Sequence, residues 1–296
     1  MKVKEPKVEI WEQPKGIEGI YKQIERAGRI CYKSEEDMTE DNALSYVEQM
    51  IARKDYAILE HGTVYLSIPN THANVYLLEE LYHSRFTHWC KRLGSSHCIN
   101  FSTNLRVLVI KDMWDACKPY VCDFGKGFFS GDRRVTVHFT TQIAISREAN
   151  SHRVNSITEQ STDYCNYSKD KAGGSLAISV PEWIGSTKHY EDYRLDRDMF
   201  MELADAVYDG TATSQENWSF ANVVAERAYM NIIKKGRSPQ EACVVLPLDT
   251  QTELVHTAFV ADWMRFFDLR AFNAHPDMMA IAKPLYEEFK KRGYIK

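Results

Sequence analysis

Apolar residues recur at helical spacing between residues 39 and 54, where Leu44, Val47, Met50 and Ile51 make one face. Thr39 reads as the N-cap of that helix, and Glu40 and Asp41 suit its positive end. Residues 63–68 and 105–110 read as strands, and 111–118 as a short helix stopped by Pro119. The run 134–140 alternates, with Val135, Val137 and Phe139 on one face of a further strand. A helix is predicted over 142–152. Gly173, Gly174, Pro181 and Gly185 make 168–188 read as a mobile loop. A long helix over 215–235 ends in Lys234-Lys235-Gly236, which suits a helix C-terminus. Ser238-Pro239-Gln240-Glu241 is a capping box with proline at the first helical position. Two more helices are predicted over 252–269 and 276–291. Strands come early and the C-terminal third is mostly helical, so the expected class is α+β, with a sheet packed against helices.

Composition narrows the class. The chain has 296 residues, 44% hydrophobic and 26% charged, which suits a soluble protein with a large core. A single domain over 1–296 is expected. The net charge of −4 lacks the basic surplus of a duplex nucleic-acid binder, so no nucleic-acid partner is predicted. No apolar run is long enough for a membrane helix, and no membrane partner is predicted. Seven cysteines without an apolar leader point to reduced thiols in a cytoplasmic compartment. They show no paired Cys-x-x-Cys spacing, and no metal is expected. The loop holding Gly125, Gly127 and Gly131 is not followed by Gly-Lys-Ser/Thr and is not a phosphate loop.

The densest chemistry lies in residues 151–164, Ser-His-Arg-Val-Asn-Ser-Ile-Thr-Glu-Gln-Ser-Thr-Asp-Tyr. An anion here would be held by side chains, because the segment has no glycine. Arg153 offers a planar fork for a phosphate, and Ser161 and Thr162 offer hydroxyl donors. Glu159 is suited to orient a ribose or a base. From composition alone the segment also reads as a polar surface loop after a helix.

The same segment resembles the signature R-H-R-x-x-S-x-N-E-x-S-x-R-Y of the flavin-dependent thymidylate synthases. His152, Arg153, Ser156, Glu159, Ser161 and Tyr164 stand at the matching positions. Arg26-Ala27-Gly28-Arg29-Ile30-Cys31-Tyr32 is similar to the end of the family's first helix, and Leu59-Glu60-His61 to its next turn. Pro239-Gln240-Glu241-Ala242 through Val245-Leu246-Pro247 matches a second block. Phe266-Phe267-Asp268-Leu269-Arg270, followed by His275-Pro276, matches a third. The resemblance implies an α+β fold and a homotetramer with active sites between subunits. It implies FAD as cofactor, with NADPH and methylenetetrahydrofolate as co-substrates. The reaction it implies is one-carbon transfer to C5 of a pyrimidine nucleotide, dUMP by default, without a cysteine nucleophile. Arg270 would then polarise the pyrimidine ring and Ser161 would bind or activate the nucleotide. Glu159, Gln160, Ser161, Thr162 and Asp163 would lie at the substrate, and His152, Arg153 and Glu159 at the flavin. Without the resemblance, Arg270 also reads as a helix arginine paired with Asp268 or Asp262, and His275 as the cap of the last helix.

The chain departs from the pattern at several charged positions. Ser151 and Asp163 replace the first and last arginines of the signature, and Cys243 replaces an arginine of the second block. Phe259 and Ala261 stand where the family often has an asparagine and an arginine that contact flavin. Asp55-Tyr56 stands for His-Glu. Each lost charge-assisted bond is worth about 1.5–3 kcal/mol. Residues 62–134 include an insertion relative to compact members, and Arg85, Lys91, Arg92, Arg133 and Arg134 are candidates to replace the missing cations. The departures leave open a relative acting on a cytosine nucleotide or forming a hydroxymethyl product, and a catalytically silent nucleotide-binding homologue.

Overall fold

A computed structural model describes residues 1–39, 42–91, 97–125, 127–169, 174–185 and 193–296; Glu40, Asp41, Arg92 and Gly173 lie outside the described residues. The first half runs β1 (Lys2–Lys4), β2 (Lys7–Trp11), α1 (Gly16–Tyr32), α2 (Ala43–Ala52), β3 (Thr63–Pro69), α3 (Val75–Tyr82), β4 (His88–Lys91), β5 (Cys98–Asn104), α4 (Leu105–Ile110), α5 (Trp114–Cys117) and β6 (Val121–Cys122). The second runs β7 (Arg134–Gln142), α6 (Ile143–Ala149), β8 (Ser156–Glu159), β9 (Ala177–Ser179), α7 (Arg197–Tyr208), α8 (Ser214–Lys234), α9 (Pro239–Ala242), β10 (Gln251–Phe259), α10 (Val260–Arg270) and α11 (Pro276–Lys291). The class is α+β, as expected. Among the described residues no helix is long and apolar enough to cross a membrane.

Two four-stranded sheets organise the chain. One has the order β2-β7-β10-β8 and is antiparallel throughout. Its centre is the nine-residue pairing of β7 with β10, from Gln251 opposite Gln142 to Phe259 opposite Arg134. Phe139, Leu254, Trp263, Phe266, Phe267 and Phe289 pack α10 and α11 on one face. The other sheet has the order β4-β5-β3-β6 and lies wholly within residues 62–134. Helix α1 serves both sheets. Ile20 and Ile24 enter the core of the second sheet, while Ala27 and Ile30 meet Trp11 and Val255 of the first. Gly62 lets α1 approach, since a Cβ there would stand 2.5 Å from Ile24 Cδ1.

Several sequence expectations need correction. Residues 105–110 are helix α4 and not a strand, because Asn104 accepts from the backbone N–H of Val107 and caps a new helix at the end of β5. The helix predicted over 252–269 is a strand followed by a helix. β10 is one of two inner strands of its sheet, and its apolar residues stand in adjacent pairs, Leu254-Val255 and Ala258-Phe259, which burial on both faces tolerates, so no alternation marks it. The expected loop 168–188 contains β9, which pairs in parallel with β1. The helix placed at 39–54 is α2, shorter at its start, with no side-chain cap. The strands at Thr63 and Arg134, helices α8 and α11 and the Ser238–Glu241 capping box stand as read. Helix α6 is shorter than the 142–152 read for it.

Candidate functional site

The 151–164 segment is not one loop. Residues 150–155 turn from α6 into β8, which pairs with β10, and residues 160–164 leave β8 beside the end of α1. The backbone N–H of Ser161 donates to Cys31 O at 3.0 Å. Lys33, in the left-handed region at φ 51°, ion-pairs with Glu253 and ties α1 to β10 nearby.

Arg270 closes α10 and returns to the α6–β8 turn. Its Nε donates to His152 Nε2 at 3.0 Å, across 118 residues of chain. Its other nitrogens donate to the Glu148 carboxylate and, at 2.9 Å, to Ser151 Oγ. The ion-pair partner is therefore Glu148 of α6, and not Asp268 or Asp262. His152 is buried against Phe266, with ring centroids 4.9 Å apart. Burial, then the charges of Arg270 and Arg265, pull its pKa down to about 4. The ring is neutral at pH 7 and accepts from Arg270 through Nε2.

Glu159 ends β8 with both carboxylate oxygens engaged. Asn150 Nδ2 donates to it at 2.7 Å and Thr252 Oγ1 at 3.1 Å. Asn150 is held in turn by buried His256, whose other ring nitrogen meets Asn155 at 3.1 Å. His256 is neutral because burial pulls its pKa down to about 3. This chain of hydrogen bonds fixes a half-buried carboxylate at the edge of the sheet. No motif announced it, since Asn150 and His256 lie 106 residues apart.

Ser161, Thr162 and Asp163 lie near the end of α1 and the Cys243 turn. Ser161 Oγ accepts from the backbone N–H of Asp163 at 3.2 Å. Asp163 is exposed and accepts from Cys243 Sγ at 3.5 Å. Gln160 is buried, and its amide donates to Tyr167 at 3.4 Å. The site residues thus form three groups on one chain, around Arg270, Glu159 and Asp163.

Arg153 is exposed and has no acidic partner among the described residues. It stands at the mouth of a cleft of about 430 Å³ whose lining also includes Arg85, Arg134, Ser156, Phe259 and Asp262. Phe259 is buried there with the His88 ring stacked on it, centroids 3.7 Å apart. For an anionic cofactor the donor set of this cleft fits. Three arginines line it, against one carboxylate.

The sequence profile of the family described as thymidylate synthase complementing protein, Thy1, matches residues 133–292. Among curated proteins nothing matches. Among solved structures, the chain is similar to a UMP/dUMP methylase, PolB from Streptomyces cacaoi. The form bound to 5-Br dUMP is 14% identical, with a TM-score of 0.40, covering 98% of this chain and 93% of that one. The form bound to 5-Br UMP gives the same identity and TM-score and covers 98% and 92%.

Proposed function

The chain belongs to the thymidylate synthase complementing protein family, with more than half its length inside the family match, and from that premise we propose that it transfers a one-carbon unit to C5 of a pyrimidine nucleotide. The donor is methylenetetrahydrofolate, the nucleotide is dUMP by default, and NADPH supplies reducing equivalents through FAD. The observation that carries this reading is the Arg270–His152 contact, which joins two separated blocks of the family pattern in one cluster.

In this reading Arg270 is fixed by Glu148, Ser151 and His152 before any ligand arrives. A held cation beside a ring oxygen stabilises the negative charge that builds as C5 becomes nucleophilic. Neutral His152 keeps the guanidinium oriented without competing for charge. Glu159, held by Asn150 and Thr252, accepts a hydrogen bond from a ligand N–H or O–H. Ser161 and Thr162 bind the nucleotide through their hydroxyls. Arg153 and His152 are the residues we assign to flavin, which when bound supplies the reduction that completes a methyl group.

A second reading keeps the chemistry and changes the base. Two positions that carry arginines in the family are here Asp163 and Cys243, and they touch each other. An acceptor at that spot suits the amino group of cytosine better than an anion or a carbonyl.

The test is tritium release from C5-labelled dUMP and dCMP by the full chain with methylenetetrahydrofolate, FAD and NADPH. Release from dUMP supports the first reading and release from dCMP alone the second. No release from either rejects both.

A further inference from the structure

We propose that the cleft between the 62–134 sheet and the β7–β10 sheet is a phosphate site, with Arg134 at its floor and Arg85 and Arg153 at its mouth. The lining comes from both sides of that boundary, and of the three arginines only Arg153 belongs to the family signature.

Arg134 is the decisive residue. It is 9% exposed and no carboxylate pairs with it among the described residues. One terminal nitrogen donates to Thr103 O and the other to Ser156 Oγ, both at 3.2 Å, while Nε has no partner. Ser156, Asn104 and the Phe259 ring, 5.5 Å from the guanidinium carbon, all line the cleft, so the charged end faces it. The two bonds rivet β5 to β8, but a neutral amide would make them as well. Glu60 and Asp262 are near enough to favour its charge, but neither is bonded to it. A buried cation with no bonded carboxylate among the described residues is costly, and keeping one is explained by an anion that arrives from outside.

The other two arginines also have no acidic partner among the described residues. Arg85 lies over the Phe86 ring at 4.6 Å. Against the three cations stands one acid, half-buried Asp262, whose pKa is raised by burial. That balance is opposite in sign to the net charge of −4 on the whole chain. The arginines come from three separate places: the loop after α3, the start of β7 and the turn after α6. Donors from three directions suit a tetrahedral dianion better than a flat carboxylate. The cleft of about 430 Å³ leaves room for an organic part, and exposed Phe86 and Val154 give it an apolar rim.

Calorimetric titration of the full chain at low ionic strength tests this without folate or NADPH, so a catalytically silent protein would still respond. The probes are pyrophosphate, FMN and dUMP. Pyrophosphate is expected to bind, and the ester that binds more tightly, FMN or dUMP, identifies whether flavin or nucleotide supplies the phosphate. Arg134→Met and Arg85→Gln should each weaken pyrophosphate binding about tenfold or more. Arg134→Met should unfold at the same or a higher urea concentration than the parent chain, since it removes a buried unpaired charge. Should that variant fail to fold, Arg85→Gln and Arg153→Gln decide, because both positions are exposed. Absence of pyrophosphate binding at millimolar concentration, or equal affinity in the Arg85 and Arg153 variants, overturns the proposal.

Discussion

Cys243 Sγ donates to Asp163 Oδ1 at 3.5 Å, although the residues are 80 apart in the chain. Both stand where the family pattern has arginine, so two replacements meet at one spot. The thiol is held protonated, its pKa raised by burial and by the bond to Asp163. The pair presents an acceptor where two cations would otherwise sit. Asp163→Asn removes the charge and keeps the shape. Its expected effect, measured by calorimetry, is tighter dUMP binding and weaker dCMP binding, each by about threefold to tenfold. Unchanged affinity for both would place the pair away from the nucleotide.

Arg270 is held by a carboxylate, a hydroxyl and an imidazole, and all three sit on α6 or the turn that follows it. Arg270→Gln should lower kcat about a hundredfold or more if the cation faces the reacting ring. The ion pair with Glu148 is partly exposed, so its loss should cost only about 1 kcal/mol of stability. Urea unfolding and steady-state turnover on the same preparations separate the two effects. A loss of activity no larger than the loss of folded protein would make Arg270 a structural residue.

The legible parts of the sequence were those where local pattern and tertiary role agree. Val135, Val137 and Phe139 alternate in β7, and the capping box at Ser238 is complete within four residues. β10 was misread because its apolar residues fall in adjacent pairs, Leu254-Val255 and Ala258-Phe259, and burial of both faces tolerates that loss of alternation. Residues 105–110 are β-branched but start at a capping asparagine, and the cap decided their conformation. Among the candidate site residues, the signature pointed to His152 and Glu159, and the third family block to Arg270. Both were silent on Glu148, Asn150 and His256, which hold them, because those contacts join residues more than 100 apart or use residue types common in any helix. Arg134 was named only as a spare cation. Its lack of a bonded carboxylate among the described residues is a property of three dimensions.

Buried imidazoles set the expected pH dependence. His61 and His256 are fully buried, and burial pulls each pKa down to about 3, with Arg134 adding to the effect on His61 and the other histidines on His256. In the unfolded chain each titrates near 6.5. Between those values the unfolded chain binds protons that the folded chain does not, so stability rises with pH across that window. Above about pH 6.5 these groups add no further slope. The urea midpoint should therefore fall steadily as pH drops from 6.5 to 4. In His256→Gln the dependence over that window should be shallower by about 1.4 kcal/mol per pH unit. An unchanged slope would mean that His256 carries a proton in the folded protein.

Exposed apolar side chains flank two of the three groups of candidate residues, those around Asp163 and Arg270. Tyr164 is 71% exposed, Val244 80%, Leu269 58% and Phe272 57%. Tyr164 adjoins Asp163, Val244 adjoins Cys243, and Leu269 and Phe272 bracket Arg270. Apolar surface beside two of these groups is what a site completed by another copy of the chain would leave on one subunit. The resemblance to a tetrameric family leads to the same expectation. Light scattering at micromolar concentration should give a mass near four times 34.3 kDa. Val244→Glu places a charge on that surface and should yield smaller species, with nucleotide turnover lost in proportion to dissociation and the circular dichroism of the chain unchanged. A parent protein that scatters as a monomer, or a Val244→Glu tetramer with full turnover, would exclude sites shared across this face.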